Sequence, residues 1–338
     1  MKKRATLADV AARAGLSPTA VSRVLNQRPG ARMSPEAVER IHEAARTLNY
    51  RPDPAARSLR IGKTATVGFI SDDVTVTRYA SAMIRGALDV AEGAQHTVLI
   101  AETGSRADRR EEALRAMLDR RPDGVIFGLM GAKMIELPPL PPDLPVVMLN
   151  SLSTAGHASV LPAEYDAGYA MGSLLVQAGH RRIGLIGHGD ELATNLAISA
   201  TIGLRYAGIN TALGQAGVTP TMRYECSDWE PEHGYLGTRA ILERDPDVTG
   251  LICLNDRLAF GAYRALSEAN LRVCQDVSIV SFDDDIVASY LHPGLTTAAI
   301  PYEEMGRQAM QLLLAPDRTT EQRLVGMPTR LRESVRAL

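Results

Sequence analysis

Cysteine is scarce: the 338 residues hold three, Cys226, Cys253 and Cys274, widely spaced and without a CxxC pair. An odd, dispersed set of this kind builds neither a disulfide framework nor a paired-cysteine zinc site, and reads as reduced structural thiols. No stretch approaches the roughly 18 uncharged apolar residues that span a bilayer. The basic opening Met1-Lys2-Lys3-Arg4 runs into Thr6-Leu7-Ala8-Asp9-Val10, which is not the apolar run of a secretion signal. A soluble, cytoplasmic protein without membrane contact is expected. Catalytic signatures are missing as well. No Walker motif, HExxH or GxSxG stands in the required context, so neither an enzyme nor a bound cofactor is expected.

What is present is apolar material, 45% of the chain, enough for two to three folding units. The net charge of -2 conceals an asymmetry. Residues 1–63 carry 13 Lys/Arg against 5 Asp/Glu, a net of +8, while residues 64–338 carry 24 against 34, a net of -10. A small basic segment on an acidic body suits a segment that meets a polyanion, although charge alone allows a solvated basic face equally.

Spacing favours the polyanion, because residues 6–48 read as three short punctuated helices. Thr6 is an N-cap with Asp9 at the third helical position, and Leu7, Val10, Ala11 and Ala14 form an apolar face closed by Gly15. Ser17 caps a second helix with Pro18 at its first position and Val21, Val24 and Leu25 turned inward. Ser34-Pro35-Glu36 opens a third, with Val38, Ile41, Ala45 and Leu48 inward. Two helices separated only by Gly15-Leu16-Ser17 make a helix-turn-helix, whose second helix reads the major groove.

The segments Thr6-Leu7-Ala8-Asp9-Val10-Ala11, Ala14-Gly15-Leu16-Ser17 and Ala20-Val21-Ser22-Arg23-Val24-Leu25-Asn26 resemble the head-piece of the LacI/GalR family of bacterial repressors. The resemblance implies that Pro18, Thr19 and Arg23 read bases, with Arg23 able to contact guanine through two hydrogen bonds. It places Thr6, Ser17, Ser22 and Asn26 at phosphates or in setting register, and Leu7 among the DNA-facing residues. Pro18 departs from the pattern, since its ring cannot hydrogen-bond a base. The loop 27–33 is long for the family and carries Arg28 and Arg32, which would touch backbone or stay solvated.

Beyond the head-piece (1–50), residues 51–63 form a linker in which Asp53 can cap and Pro54 can start a helix of under two turns before Gly62. So short a helix needs partners to fold. In the family it orders in a dimer on operator DNA, and the leucine matching Leu59 wedges into the minor groove. The alternative, Leu59 packing on its own domain, has little core to join.

From Thr64 to the end the fold class changes to α/β. Apolar runs at 65–70, 97–101, 124–127, 146–149, 182–186, 250–254 and 277–282 alternate with helical patterns at 80–92, 108–120, 166–178, 196–216, 232–244 and 257–269. Two doubly wound parallel-sheet lobes are implied, lobe 1 about 64–162 and 294–323, lobe 2 about 163–293 and 324–338. Pro138-Pro139 and Pro141-Pro142 mark a rigid loop in the first. Gly179-His180, Leu254-Asn255-Asp256, Phe282-Asp283-Asp284 and His292-Pro293-Gly294 extend the family resemblance, and a likeness to periplasmic sugar-binding proteins, over the core.

Ligands of such folds bind at the carboxyl ends of strands, between lobes. The candidates are therefore Asp72, Asn150, Asn255 and Asp283, with Arg205 matching a family arginine that reaches the effector and Trp229 matching an aromatic wall. Tyr79 joins them with a weaker match, because Val76-Thr77-Arg78-Tyr79 replaces the family's usual loop. The stretch 187–205 is also longer than the family pattern. Carboxylates, amides and an arginine around an aromatic plate suit a sugar or sugar derivative first and a nucleobase second. Asp283-Asp284-Asp285 is not read as a metal site, since three consecutive residues cannot converge on one ion. The expectation is a repressor controlled by a small-molecule effector, or alternatively a corepressor-dependent regulator sensing a nucleobase or other metabolite, binding a near-palindromic double-stranded operator as a homodimer, with no leucine heptads at the end of the chain to join dimers.

Overall fold

The computed structural model describes residues 5–25, 33–50 and 62–338, apart from 76, 105 and 318. Asn26, Arg28, Arg32 and the expected hinge helix with Leu59 lie outside the described residues. The chain divides into two compact units, residues 1–65 and 66–338.

The first unit holds α1 (Leu7–Ala14), α2 (Pro18–Leu25) and α3 (Pro35–Thr47). At the start of α1 the Thr6 hydroxyl accepts from the Asp9 N–H while the Asp9 carboxylate accepts from the Thr6 N–H at 2.8 Å, so two backbone donors are satisfied reciprocally. Gly15 ends the helix in the left-handed region, φ 67°, with its N–H turned back to Ala11 and Ala12. Val10, Ala11, Ala14, Val21, Val24, Ile41 and Ala44 form the core. On α3 the seam is Ala37, Ile41 and Ala44, with the expected Val38, Ala45 and Leu48 only half-buried against it. Alanines at the seam let short helices approach closely, and this moves the buried stripe one step round the helix.

The second unit is α/β with fourteen strands among the described residues: β1 (Thr66–Ser71), β2 (Thr97–Glu102), β3 (Gly124–Gly128), β4 (Met134–Ile135), β5 (Val146–Leu149), β6 (Leu152–Ser153), β7 (Ala158–Pro162), β8 (Ile183–His188), β9 (Met222–Glu225), β10 (Gly250–Cys253), β11 (Ser278–Asp283), β12 (Thr296–Ala299), β13 (Gln322–Val325) and β14 (Thr329–Arg330). Its helices are α4 (Arg78–Gly93), α5 (Ala107–Leu118), α6 (Glu164–Gln177), α7 (Asp190–Thr194), α8 (Ile202–Gln215), α9 (Pro231–Arg244), α10 (Asp256–Glu268), α11 (Ile286–Tyr290) and α12 (Tyr302–Leu314). One sheet runs β13-β7-β5-β3-β1-β2, parallel throughout. The other runs β14-β12-β11-β10-β8-β9, parallel except where β14 pairs with β12. Every residue of β3, β5 and β7 is buried, which is why such strands read as unbroken apolar runs.

Two expectations are corrected. The run 294–323, expected whole in lobe 1, is divided: β12 pairs with β11 in the second sheet, and β13 reaches Val325 in the first. Thr296 and Thr297 are tolerated in a fully buried strand because both hydroxyls have partners: that of Thr296 donates to the Arg332 carbonyl at 3.2 Å and that of Thr297 to Asp256 at 2.8 Å. The helix expected over 196–216 starts only at Ile202, after an irregular segment. The chain thus crosses between lobes three times, after β7, after β12 and between β13 and β14.

Glycines set the closest helix packing. A Cβ on Gly168 of α6 would fall 2.2 Å from the Arg205 carbonyl, and one on Gly208 of α8 would fall 2.0 Å from that of Tyr165. The pairs Gly86/Gly306 and Gly234/Gly261 repeat this between α4 and α12 and between α9 and α10. Contact of backbone on backbone brings α8 near enough to α6 for Arg205 to reach Glu164.

Candidate effector site and DNA-reading surface

In the first unit, Pro18, Thr19 and Arg23 are exposed on α2 while Val21 and Val24 are buried beneath them. Ser17 is exposed and caps α2 through a 3.2 Å bond from the Ala20 N–H to its hydroxyl. Thr6 is exposed in its capping box, Ser22 is half-buried, and Leu7 is half-buried against the core of the unit. The exposed face of α2 therefore presents side chains over a rigid apolar base.

In the second unit a cavity of about 280 Å3 lies between the lobes, where the carboxyl ends of both sheets converge. At its floor the Arg205 side chain is 1% exposed. Its fork donates to both oxygens of Glu164, from Nε at 2.6 Å and Nη2 at 2.8 Å, and Nη1 donates to the Leu254 carbonyl. The guanidinium also lies 4.3 Å from the Phe282 ring centroid and 5.6 Å from that of Trp229. Burial works against its charge, but Glu164 more than restores it, so the arginine stays protonated. Asp283 Oδ1 stands 4.0 Å from Nη2 with its side chain 22% exposed. Burial, only partly offset by Arg205, pushes its carboxyl up to about 6. Its φ of 103° is a conformation that side chains rarely adopt, held where β11 ends. Behind it, Asp256 is wholly buried, accepts from the Thr297 hydroxyl and the Asp285 N–H, and is pushed up to about 8, mainly by burial.

Of the expected effector residues, Asn150, Arg205, Trp229 and Asp283 line this cavity. Asn150 donates to the Leu129 carbonyl at 2.8 Å, and the Trp229 indole donates to Gly187 at 2.9 Å. The other three do not line it. Asp72 is buried and accepts from the Met130 N–H and Lys133, so its charge is used in tying its own lobe. Asn255 caps α10, accepting from the Leu258 N–H at 2.8 Å. Tyr79 donates to Asp285 at 2.6 Å and packs on Tyr302, on the far side of Asp283.

Glu164, Tyr302, Leu192 and Ile198 also line the cavity, with no signal in the sequence that points to them. Glu164 follows β7, a strand whose sequence Ala-Ser-Val-Leu-Pro gives little signal, and Tyr302 follows the equally quiet β12. The three consecutive aspartates diverge as expected: Asp283 faces Arg205, Asp284 pairs with Arg332 at 2.7 Å, and Asp285 pairs with Arg78 at 3.2 Å. Among the described residues, His188, Asp190 and Glu225 bring ligand atoms within 4.8 Å of one another, but the Asp190 side chain is 90% exposed, as carboxylates often are without an ion. No helix among the described residues is long and apolar enough to cross a membrane.

Residues 6–53 match the description "Bacterial regulatory proteins, lacI family", and residues 173–335 match a periplasmic binding protein-like domain. The chain is 32% identical over 315 residues to the ribose operon repressor of Haemophilus influenzae, covering 92% of this chain and 91% of that protein. It is 32% identical over 326 residues to the HTH-type transcriptional repressor PurR of Erwinia tasmaniensis, covering 94% and 92%. A crystal structure of the lac repressor dimer bound to operator and the anti-inducer ONPF superposes with a TM-score of 0.76 at 25% identity, over 99% of this chain and 100% of that one. A helix-turn-helix head, two parallel-sheet lobes and relatives that are regulators rather than enzymes agree, and the chain belongs to the lacI family of bacterial DNA-binding transcriptional regulators.

Proposed function

We propose that this regulator is a repressor whose operator binding is set by a sugar or sugar derivative held in the cleft between its lobes. The observation that carries the reading is the cavity at the meeting strand ends, which Asn150, Arg205, Asp283 and Trp229 line together. Each sugar hydroxyl both donates and accepts, which carboxylate, amide and guanidinium together can satisfy. On the DNA side, Pro18, Thr19 and Arg23 read bases, Thr6, Ser17, Ser22 and Asn26 hold the backbone or set register, Leu7 belongs to the DNA-facing set, and Leu59 enters the minor groove. Residues 1–50 act as head-piece, 51–63 as hinge, and 64–338 as sensor and dimerisation core. Two head-pieces read the halves of a near-palindromic site, so the working unit is a homodimer.

The test is binding to a labelled operator with and without each of a set of sugars and purine bases. A sugar that shifts operator affinity supports the reading. Response to a nucleobase alone would replace the sugar with a base, and response to neither would remove the effector role from the cleft.

A further inference from the structure

The charges around the cavity do not balance in the way a site for an anion requires. Its charged lining residues are Glu164, Asp228, Asp283 and Arg205, three carboxylates against one guanidinium. That guanidinium is already spent. Glu164 takes two of its five N–H groups in a bidentate fork and the Leu254 carbonyl takes a third, all in a site closed to solvent. What remains for a ligand is two N–H donors with no net charge behind them, and a carboxylate at Asp283 that accepts.

A further part of the lining is apolar and comes from residues 190–201. Residues 190–201 leave the second lobe and reach the first, where Met134 N–H donates to the Leu196 carbonyl and Ala200 N–H to the Ala132 carbonyl, both at 2.8 Å. This strap brings Leu192 and Ile198 to the cavity that Trp229 also lines. Ile198 remains 37% exposed, an apolar surface with water on it until a ligand arrives.

We propose that the cleft selects an uncharged hydroxylated ring bearing an apolar substituent, with the hydroxyls on Asp283, Asn150 and Arg205 and the substituent under Leu192 and Ile198. A phosphorylated or carboxylated ligand is turned away, because its charge would be desolvated beside three carboxylates with the one cation already paired. The inference rests on the cleft being the effector site.

Trp229 is the single tryptophan of the chain, so its fluorescence reports this cavity alone. The full-length protein is titrated with glucose, galactose and ribose, with the phenyl β-glycoside of each, and with the phosphate ester of each. For a sugar that binds, the phenyl glycoside is expected to bind at least about tenfold tighter, the scale of an apolar group filling an apolar pocket, and the ester at least about a hundredfold weaker. In the double variant Leu192→Ser, Ile198→Ser the ratio between glycoside and sugar should fall toward one. In Glu164→Gln, which leaves the Arg205 charge unbalanced, the penalty on the ester should shrink. An ester that binds as well as its sugar, a glycoside with no advantage, or ratios unmoved by the strap variant overturn the inference. Esters binding while every neutral sugar is silent overturn it and leave the cleft as a ligand site. Silence from all three classes overturns the sugar reading of the cleft itself.

Discussion

Arg205 shows how one side chain can be structural and functional at once. It is the largest fully buried side chain of the described residues, and its partner Glu164 is as inaccessible. Removing one member of a buried ion pair leaves the other charged without compensation, so Arg205→Ala is expected to cost roughly 3–5 kcal/mol of core stability. Urea unfolding of the second unit's transition would measure it, and a loss under about 1 kcal/mol would mean that Glu164 finds water or another donor. Loss of ligand response in that variant alone therefore says little about contact with a ligand.

Asp283 and Asp256 make the core's stability depend on pH in a direction that follows from their surroundings. Both carboxyls sit above the ordinary value of 3.8, at about 6 and about 8, so the folded state holds protons that the unfolded chain releases. Their stabilising contribution is whole below the unfolded value and is lost as pH rises, through about 6 for Asp283 and through about 8 for Asp256. Melting temperature should fall from pH 5 to pH 9. Asp256→Asn, which cannot ionise, should flatten the alkaline part of that fall. A parent whose melting temperature holds steady over this range would show that the native state holds both carboxylates charged.

At the scale of elements, the three glycine pairs are the features least open to change. An added methyl at Gly208 meets the Tyr165 carbonyl at 2.0 Å, and backbone cannot swing aside as a side-chain end can. Gly208→Ala is expected to cost about 3 kcal/mol or more and to loosen the hold of α8 on α6. Gly214→Ala, on the same helix with open space around it, serves as the control and should be near neutral or slightly stabilising. Both are read from thermal unfolding. The recognition helix invites a different test. Arg23→Ala should cost roughly 1–3 kcal/mol on operator DNA and relax preference at one base pair per half-site, whereas a loss uniform over all sequences would make Arg23 a phosphate contact.

Elements were legible where local chemistry and tertiary burial agreed. Thr6, Gly15, Ser17 and Ser34 announce helix ends that the structure keeps, and β1, β3, β5 and β10 are apolar runs that lie inside sheets. The strands β12, with two threonines, and β13, with Gln322 and Arg323, were not legible, because their pairing comes from neighbours far along the chain. The site divides in the same way. Strand ends bring Asn150 and Asp283 to the cavity, but Asp72 and Asn255 occupy equivalent ends and are consumed by local hydrogen bonds that no spacing reveals. Glu164 and the strap could not be read at all, since each lines the cavity only through packing between the lobes.

For the whole molecule, the proposed switch makes a thermodynamic demand. If a ligand in the cleft changes operator affinity, operator must change ligand affinity by the same factor, with a coupling of the order of 1–3 kcal/mol. Trp229 fluorescence with and without operator measures one side of this cycle, and operator titration with and without ligand measures the other. Unequal factors would point to a further linked state.

The three crossings between lobes also dictate an order of assembly. The first sheet is edged by β13 at 322–325 and the second by β14 at 329–330, so each lobe awaits residues from the far end of the chain. On a ribosome, the unit of residues 1–65 has all its sequence early, while both lobes wait for residues 322–330 to emerge. Neither lobe is a segment that can be cut out and expressed on its own. A nascent regulator has its DNA reader before it has a finished sensor, and through most of its synthesis the reader can fold with nothing yet able to govern it.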